Sequence, residues 1–238
     1  MKTSVLIIAH NEEDKIKDCL CSVINQTIKP DDIILVAHNC TDRTIKVAQE
    51  FKTIKILRFD GPRGTAYPRI EGLSHVSSEN DIILCIDGDC VAKENWVEEM
   101  SHTLNLNNNI LVGSYIKLKG DLFLSISNIF NKIKCKTSGE KATRWLWGGS
   151  FAFWNKDKDL VKNIFEKTIE LSRDLQLSRN PEDFLLAKFL KKKGNIEITN
   201  KTFVIAMAKE KSIFESFKRN RENNKNAEKI EKYFLTLK

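Results

Sequence analysis

The sequence predicts a single α/β domain on a mostly parallel sheet, followed by a helical tail. Three observations point there. Short β-branched runs alternate with stretches of helical spacing, which is the signature of strands joined by helical crossovers. The run Asp81–Ile86 (DIILCI) is apolar throughout, as expected of a strand covered on both faces. With 238 residues and 41% hydrophobic composition, the chain can bury one sizeable core but is short for two.

The elements follow in order. Ser4–Ala9 (SVLIIA) reads as a strand, and Ile16, Leu20, Val23 and Ile24 give helical spacing within Glu12–Thr27. A second strand over Ile33–Ala37 precedes a helix from Thr41 or Asp42 to Phe51, with Ile45, Ala48 and Phe51 on one face. Ile54–Phe59 is a third strand, and a Gly-containing segment, Gly61–Val76, leads into the apolar run. Beyond Asp89 the rhythm changes to a helix over Glu94–Leu106, a strand over Ile110–Leu118 and a less regular section reaching Trp147. A further helix is expected over Pro181–Lys193, with Asn180 as N-cap, Pro181 at the first helical position and Gly194 just past the end. The division that results is a domain over 1–208, with halves 1–90 and 91–208, and a basic helical tail over 209–238.

Lys and Arg total 39 against 32 Asp and Glu, a net charge of +7, which favours an anionic ligand or an anionic membrane surface. Much of the excess sits at Lys191–Lys193 and in the tail, where solvated helix faces explain it equally well. No basic stripe interleaved with stacking aromatics occurs, so nucleic acid is not an expected partner. The six cysteines lack paired zinc-site spacing and read as free thiols of a reducing compartment. Without an apolar run of membrane-spanning length or a signal-peptide pattern, a cytoplasmic location is expected. Asp121–Lys134 is amphipathic, which suits core packing and, as the alternative, peripheral contact with the membrane face.

Ligands of open parallel sheets bind beyond the carboxyl ends of the strands, where loops and helix N-termini converge. His10, Asn11 and Glu12 follow the first strand, His38, Asn39 and Asp42 the second, and Asp87, Gly88 and Asp89 the fourth. Asp, Asn and Gly are also ordinary turn residues, so each cluster has a structural reading; three at one rim favour a site. Asp87-Gly88-Asp89 suits a hard cation that bridges diphosphate oxygens, because such ions take carboxylate ligands and Gly permits close approach to the backbone.

The segments SVLIIAHNEE, LVAHNCTDRT, GPRGTAYPRIEGL, IILCIDGDC, WGGSFAF and PEDFLLAKFLKKKG occur in the order seen in family 2 glycosyltransferases, which the chain resembles over residues 3 to 205. The resemblance implies a GT-A fold: a Rossmann-like, mostly parallel central sheet flanked by helices, with a smaller mixed region on the acceptor side. It implies an inverting transfer from a nucleotide diphosphate sugar to an acceptor hydroxyl, in polysaccharide, glycolipid or other glycoconjugate synthesis. It places Ala9, His10, Glu12, His38, Arg69, Asp87, Gly88, Asp89, Gly148 and Gly149 at the nucleotide sugar, with Asp89 on Mg2+ or Mn2+. Trp147, Gly148, Gly149 and Ser150 would border the donor sugar and acceptor, unless Gly-Gly is a plain turn with Trp145 and Trp147 in the core. Glu182-Asp183 resembles the acidic pair that supplies the catalytic base, here Asp183, although a carboxylate in the first helical turn also has a capping role.

Two departures stand out. Ile8, Ala9 and His10 replace the usual Pro, small residue and Tyr, leaving His10 able to stack on a base. His38 stands where an Asp commonly accepts the base N–H, and a neutral imidazole does so only in the right tautomer. A sugar-phosphate nucleotidyltransferase would carry a Gly-rich loop where this chain has AHNEE. An inactive binding module would not need Asp87, Asp89 and Asp183 together.

Overall fold

The structure is a computed structural model that describes residues 1–106, 108–119, 137–138, 142, 146–177, 181–207, 221–222 and 225–233. The elements are β1 (Thr3–Ala9), α1 (Ile16–Ile24), β2 (Asp32–His38), α2 (Thr44–Ala48), β3 (Lys55–Phe59), α3 (Ala66–Ser74), β4 (Ile82–Asp87) and β5 (Cys90–Ala92). There follow α4 (Trp96–Leu106), β6 (Asn109–Leu118), β7 (Thr137–Ser138), β8 (Ser150–Trp154), a 3-10 turn (Asn155–Asp157), α5 (Lys158–Asp174), α6 (Glu182–Lys191) and β9 (Asn195–Ala206).

Among the described residues one sheet runs in the order β3-β2-β1-β4-β8-β6-β9-β5, with β7 also paired to β9. β3, β2, β1 and β4 are parallel; β8 then runs antiparallel to both β4 and β6. The fold is therefore α/β with a parallel first side and a mixed second side. The boundary after position 90 falls inside β5, and the two halves drawn from the sequence share one sheet.

Successive side chains of a strand point to opposite faces, which explains the unbroken apolar runs. Val5 and Ile7 of β1, Leu35 of β2 and Leu84 of β4 pack with Ile16, Leu20 and Val23 of α1 and Trp96 of α4. Leu6, Ile34 and Ile83 face the other way, against Leu73 of α3, Phe165 of α5 and Leu186 of α6. A fully buried side chain of this kind contributes about 1.5–3 kcal/mol. Nothing apolar is left over to expose, so the strands can only be central.

The second half is more regular than the sequence suggests. α5, β8 and β9 were not anticipated, nor were β5 and β7, which at three and two residues are too short to show periodicity. α2 starts later than expected because the Asp42 carboxylate turns back on Thr44, accepting from its amide at 2.9 Å and from its hydroxyl at 2.6 Å, and it ends at Ala48, where the amides of Glu50 and Phe51 reach only three residues back, to Val47 and Ala48, at 3.3 and 3.0 Å. α6 starts at Glu182 with Pro181 in the capping place and no side-chain cap, one residue later than expected. It ends at Lys191, before Gly194, whose amide still reaches the Leu190 carbonyl at 3.1 Å. Asn180, Trp145, Cys135 and the stretch 121–134 lie outside the described residues. Of the tail, residues 225–233 are helical, with Ile230 buried against Leu171 and Leu185. Among the described residues no helix is long and apolar enough to cross a membrane.

The backbone of α3 lies directly on the sheet at Gly72. A methyl group there would stand 2.3 Å from Leu6 Cδ1 and 2.9 Å from Val36 Cγ2, both fully enclosed. One turn earlier on the same face is Arg69, so this close approach also sets the depth of that side chain. Gly72→Val is expected to lower the unfolding free energy by about 1–3 kcal/mol through overpacking, read as an earlier urea midpoint at unchanged m-value. A midpoint equal to the wild type would mean that α3 can ride off the sheet.

Candidate active site

A cavity of ≈ 450 Å³ opens at the carboxyl ends of β1, β2 and β4. Ala9, His10 and Glu12 line it from the first loop, His38 and Asn39 from the second, and Asp87, Gly88 and Asp89 from the fourth strand. The remaining wall is the loop into α3, with Arg63, Gly64, Thr65 and Pro68. Asn11 and Asn39 turn the chain away from β1 and β2 in the left-handed region, at φ 56° and 50°, which asparagine tolerates better than most residues. Gly88 is demanded by proximity: a methyl there would lie 2.8 Å from Ala9 Cβ, while its amide donates to the Ile8 carbonyl at 2.8 Å. Asp42 does not line the cavity; besides holding Thr44 it accepts from the Glu13 amide at 3.1 Å, tying the first two loops together.

Arg69 is 2% exposed and does not line the cavity. Its guanidinium donates to Asp87 Oδ1 at 2.9 Å, to the Gly148 carbonyl at 2.7 Å and to Glu182 Oε1 at 2.9 Å. A buried charge must be paired and hydrogen-bonded, and these partners do both. The arginine thus joins the end of β4, the Trp147-Gly148-Gly149 turn and the start of α6. Thr65 donates its hydroxyl to Glu182 Oε1 instead of capping α3. The Gly-Gly pair fits between these groups: a methyl on Gly148 would come within 3.3 Å of Arg69 Nη2, and one on Gly149 within 3.3 Å of Asp87 Oδ2. Trp147 is 43% exposed and so is not a core residue.

The acidic pair has divided roles. Glu182 is buried and holds Arg69. Asp183 is half-buried, with the Phe184 amide donating to Oδ1 at 2.7 Å and the Gly148 amide to Oδ2 at 3.3 Å. Burial first, and then the negative charge of Glu182, push the Asp183 carboxyl up to about 6 against the opposing amides and Arg69. Burial likewise pushes Asp87 up to about 6; Arg69 opposes this and the Asp89 charge adds to it.

The histidines are fixed by their hydrogen bonds. His10 Nδ1 lies 2.8 Å from the His38 carbonyl, which only accepts, so the proton is on Nδ1. Asn39 donates to the Gly61 carbonyl at 2.8 Å and accepts from its amide at 3.1 Å, which orients the Asn39 side chain. Its amide nitrogen then stands as a donor 3.0 Å from His38 Nε2. His38 is 6% exposed, burial lowers its pKa, and its Nε2 already accepts within the protein. That engagement of Nε2 is decided by Gly61, which is 23 residues further along the chain and gives no sign of it in sequence.

Asp89 is half-buried at the cavity, and its Oδ1 meets the Cys90 thiol at 3.6 Å. No group of three or more metal-binding side chains occurs among the described residues. Two carboxylates, Asp87 and Asp89, suit a divalent cation that completes its shell with water and ligand phosphates, and not one held by the protein alone. The five described cysteines are free, with Cys19, Cys85 and Cys90 buried and their thiols raised in pKa by burial.

The fold and this rim define a GT-A glycosyltransferase architecture, and comparison with known proteins agrees. The pattern of glycosyl transferase family 2 matches residues 4–165, more than half of the chain, and the chain belongs to that family. It is 29% identical over 120 residues to the glycosyltransferase AglE of Haloferax volcanii, covering 48% of this chain and 39% of that protein. It is 31% identical over 120 residues to an uncharacterized glycosyltransferase of Haemophilus influenzae, covering 48% of this chain and 36% of the relative. The crystal structure of S. aureus TarS 1–349 in complex with UDP-GlcNAc superposes with a TM-score of 0.63 at 15% identity, over 89% of this chain and 60% of that one, and shares the fold. The matched regions span well under half of those two curated relatives.

Thr65, Arg63 and Cys90 were not singled out from the sequence. Only Arg63, beside Gly61 and Gly64 in a glycine-rich loop, had a local signal. Two outcomes are expected. Arg69→Met leaves Asp87 and Glu182 without their cation and should cost about 3–5 kcal/mol in denaturant unfolding; a loss below about 1 kcal/mol would mean that water replaces the guanidinium. For Asp183, a pKa of about 6 in the folded state against about 3.9 unfolded means that the ionised form opposes folding above pH 6. This opposition fades as pH falls from 6 towards 4, where the folded state holds the extra proton. Asp183→Asn should therefore melt at or above the wild type at pH 7.5, with the difference shrinking towards pH 4; a gap that widens on acidification would contradict the raised pKa.

Proposed function

We propose that this chain is an inverting, divalent-cation-dependent glycosyltransferase that moves a sugar from a nucleoside diphosphate to an acceptor hydroxyl, with Asp183 as general base. The observation that carries the reading is the Trp147-Gly148-Gly149 turn, whose Gly148 amide bonds Asp183 while Gly149 abuts Asp87 of the cavity. One short turn thus separates a proton acceptor with a pKa near neutrality from the carboxylates of the nucleotide rim. The UDP-GlcNAc bound by TarS supports a nucleotide-sugar donor in the equivalent architecture.

In the proposed reaction the acceptor hydroxyl gives its proton to Asp183 while its oxygen forms the new bond to the anomeric carbon. The bond from that carbon to the diphosphate oxygen breaks, and its electron pair leaves with the diphosphate. A single displacement inverts the anomeric centre. A divalent cation at Asp89 and Asp87 would neutralise charge on the leaving diphosphate. Asp183 is suited to its part because a base works best with a pKa near the working pH, and burial beside Glu182 brings it there. The acceptor belongs to polysaccharide, glycolipid or other glycoconjugate synthesis.

Asp183→Asn keeps the shape of the side chain and cannot take the proton. It should bind nucleoside diphosphate as the wild type does and transfer sugar at least ~100-fold more slowly. Near-normal turnover would leave Asp183 as a helix-start residue and direct attention to Glu182. Because Asp87 and Asp89 would fill only part of a cation's shell and leave the rest to phosphate and water, Mn2+ and a nucleoside diphosphate should stabilise the fold together far more than either alone in thermal melts. Asp89→Ala should abolish that synergy, and equal diphosphate affinity with and without metal in the wild type would remove the cation from the reading.

A further inference from the structure

We propose that Arg63 is the protein's own cationic ligand for the donor diphosphate, an inference that rests on the nucleotide-sugar reading of the cavity. Arg69 cannot fill this place, being 2% exposed and bonded to Asp87, Glu182 and the Gly148 carbonyl. The cavity wall is otherwise acidic, with Asp87, Asp89 and a Glu12 held by Lys15 at 2.8 Å. Arg63 is the single arginine or lysine among the described residues that line it.

The Arg63 side chain is exposed and has no ion-pair or hydrogen-bond partner among the described residues. The nearest acid in sequence, Asp60, is taken by Arg58 at 2.9 Å. The loop that carries Arg63 is nonetheless held at both ends. Gly61 exchanges two hydrogen bonds with the Asn39 side chain, at 2.8 and 3.1 Å, and Thr65 is bonded to Glu182. Gly64, at φ 132°, takes a backbone conformation that only glycine adopts without strain, which makes the tight turn beside Arg63. An unneutralised guanidinium on a clamped loop, lining a cavity whose other charges are carboxylates, is suited to a diphosphate, which its planar fork meets with paired hydrogen bonds.

Calorimetry on the full chain tests this, using whichever of UDP, dTDP, GDP, CDP and ADP binds the wild type most tightly, together with the matching nucleoside. Arg63→Ala should bind the diphosphate roughly ten- to a hundred-fold more weakly, the range for hydrogen bonds to a charged group, and the nucleoside with unchanged affinity. Arg63→Lys should lose less, because the charge remains and the fork is lost. Raising the salt concentration should weaken diphosphate binding more in the wild type than in Arg63→Ala. The inference is overturned if Arg63→Ala melts like the wild type and binds the diphosphate equally well, or if diphosphate and nucleoside affinities fall together. A wild type that binds none of the five diphosphates would instead overturn the nucleotide-sugar reading itself, and this inference with it.

Discussion

The constraint on which the site depends is the burial of one permanent positive charge. An arginine cannot give up its proton to escape a low-dielectric interior, so the chain around Arg69 must bring negative groups to it. Those groups come from places distant in sequence: Asp87 at the end of β4, the Gly148 carbonyl before β8 and Glu182 at the start of α6. Asp87 is thereby held at the cavity wall, while the Gly148 carbonyl and Glu182 secure the arginine beneath it. The depth of the arginine is set in turn by Gly72, which lets α3 rest on Leu6 and Val36.

Crowding carboxylates round one guanidinium has an electrostatic consequence. Arg69 balances part of the charge of Asp87 and Glu182, but Asp183 stands next to Glu182 with no ion-pair partner among the described residues and is pushed up to about 6. The same packing that secures the fold therefore raises a carboxyl group's pKa towards neutrality. It also leaves the cavity wall acidic, which any anionic ligand would meet unfavourably unless a cation came with it or the loop before α3 supplied one.

Burial also separates residues that look alike in sequence. Glu182 and Asp183 are adjacent carboxylates, yet one lies beneath the rim on Arg69 and the other accepts from the amide of Gly148. His10 and His38 both end strands, but His38 turns inward, against Phe59 and under the Asn39 amide, while His10 keeps Nε2 without a partner among the described residues. Such divisions depend on which side of the chain meets a neighbour, and the neighbour is often a hundred residues away.

By itself the sequence determined the class of the fold, the parallel strands of the first half and the rim at their carboxyl ends. Those features rest on local periodicity and on polar residues that directly follow apolar runs, as in IILCIDGD. It did not reveal β9 or α5, and it placed Arg69 beside the ligand because an arginine's charge can be read locally and its burial cannot. Tertiary structure alone decided that Arg69 lies beneath the cavity, that Asp42 closes a loop and that Arg63 stands on the cavity wall without a partner among the described residues. The physical reason is that solvation, hydrogen-bond partnership and pKa arise from what packs against a residue, and here the packing partners come from the far ends of the chain.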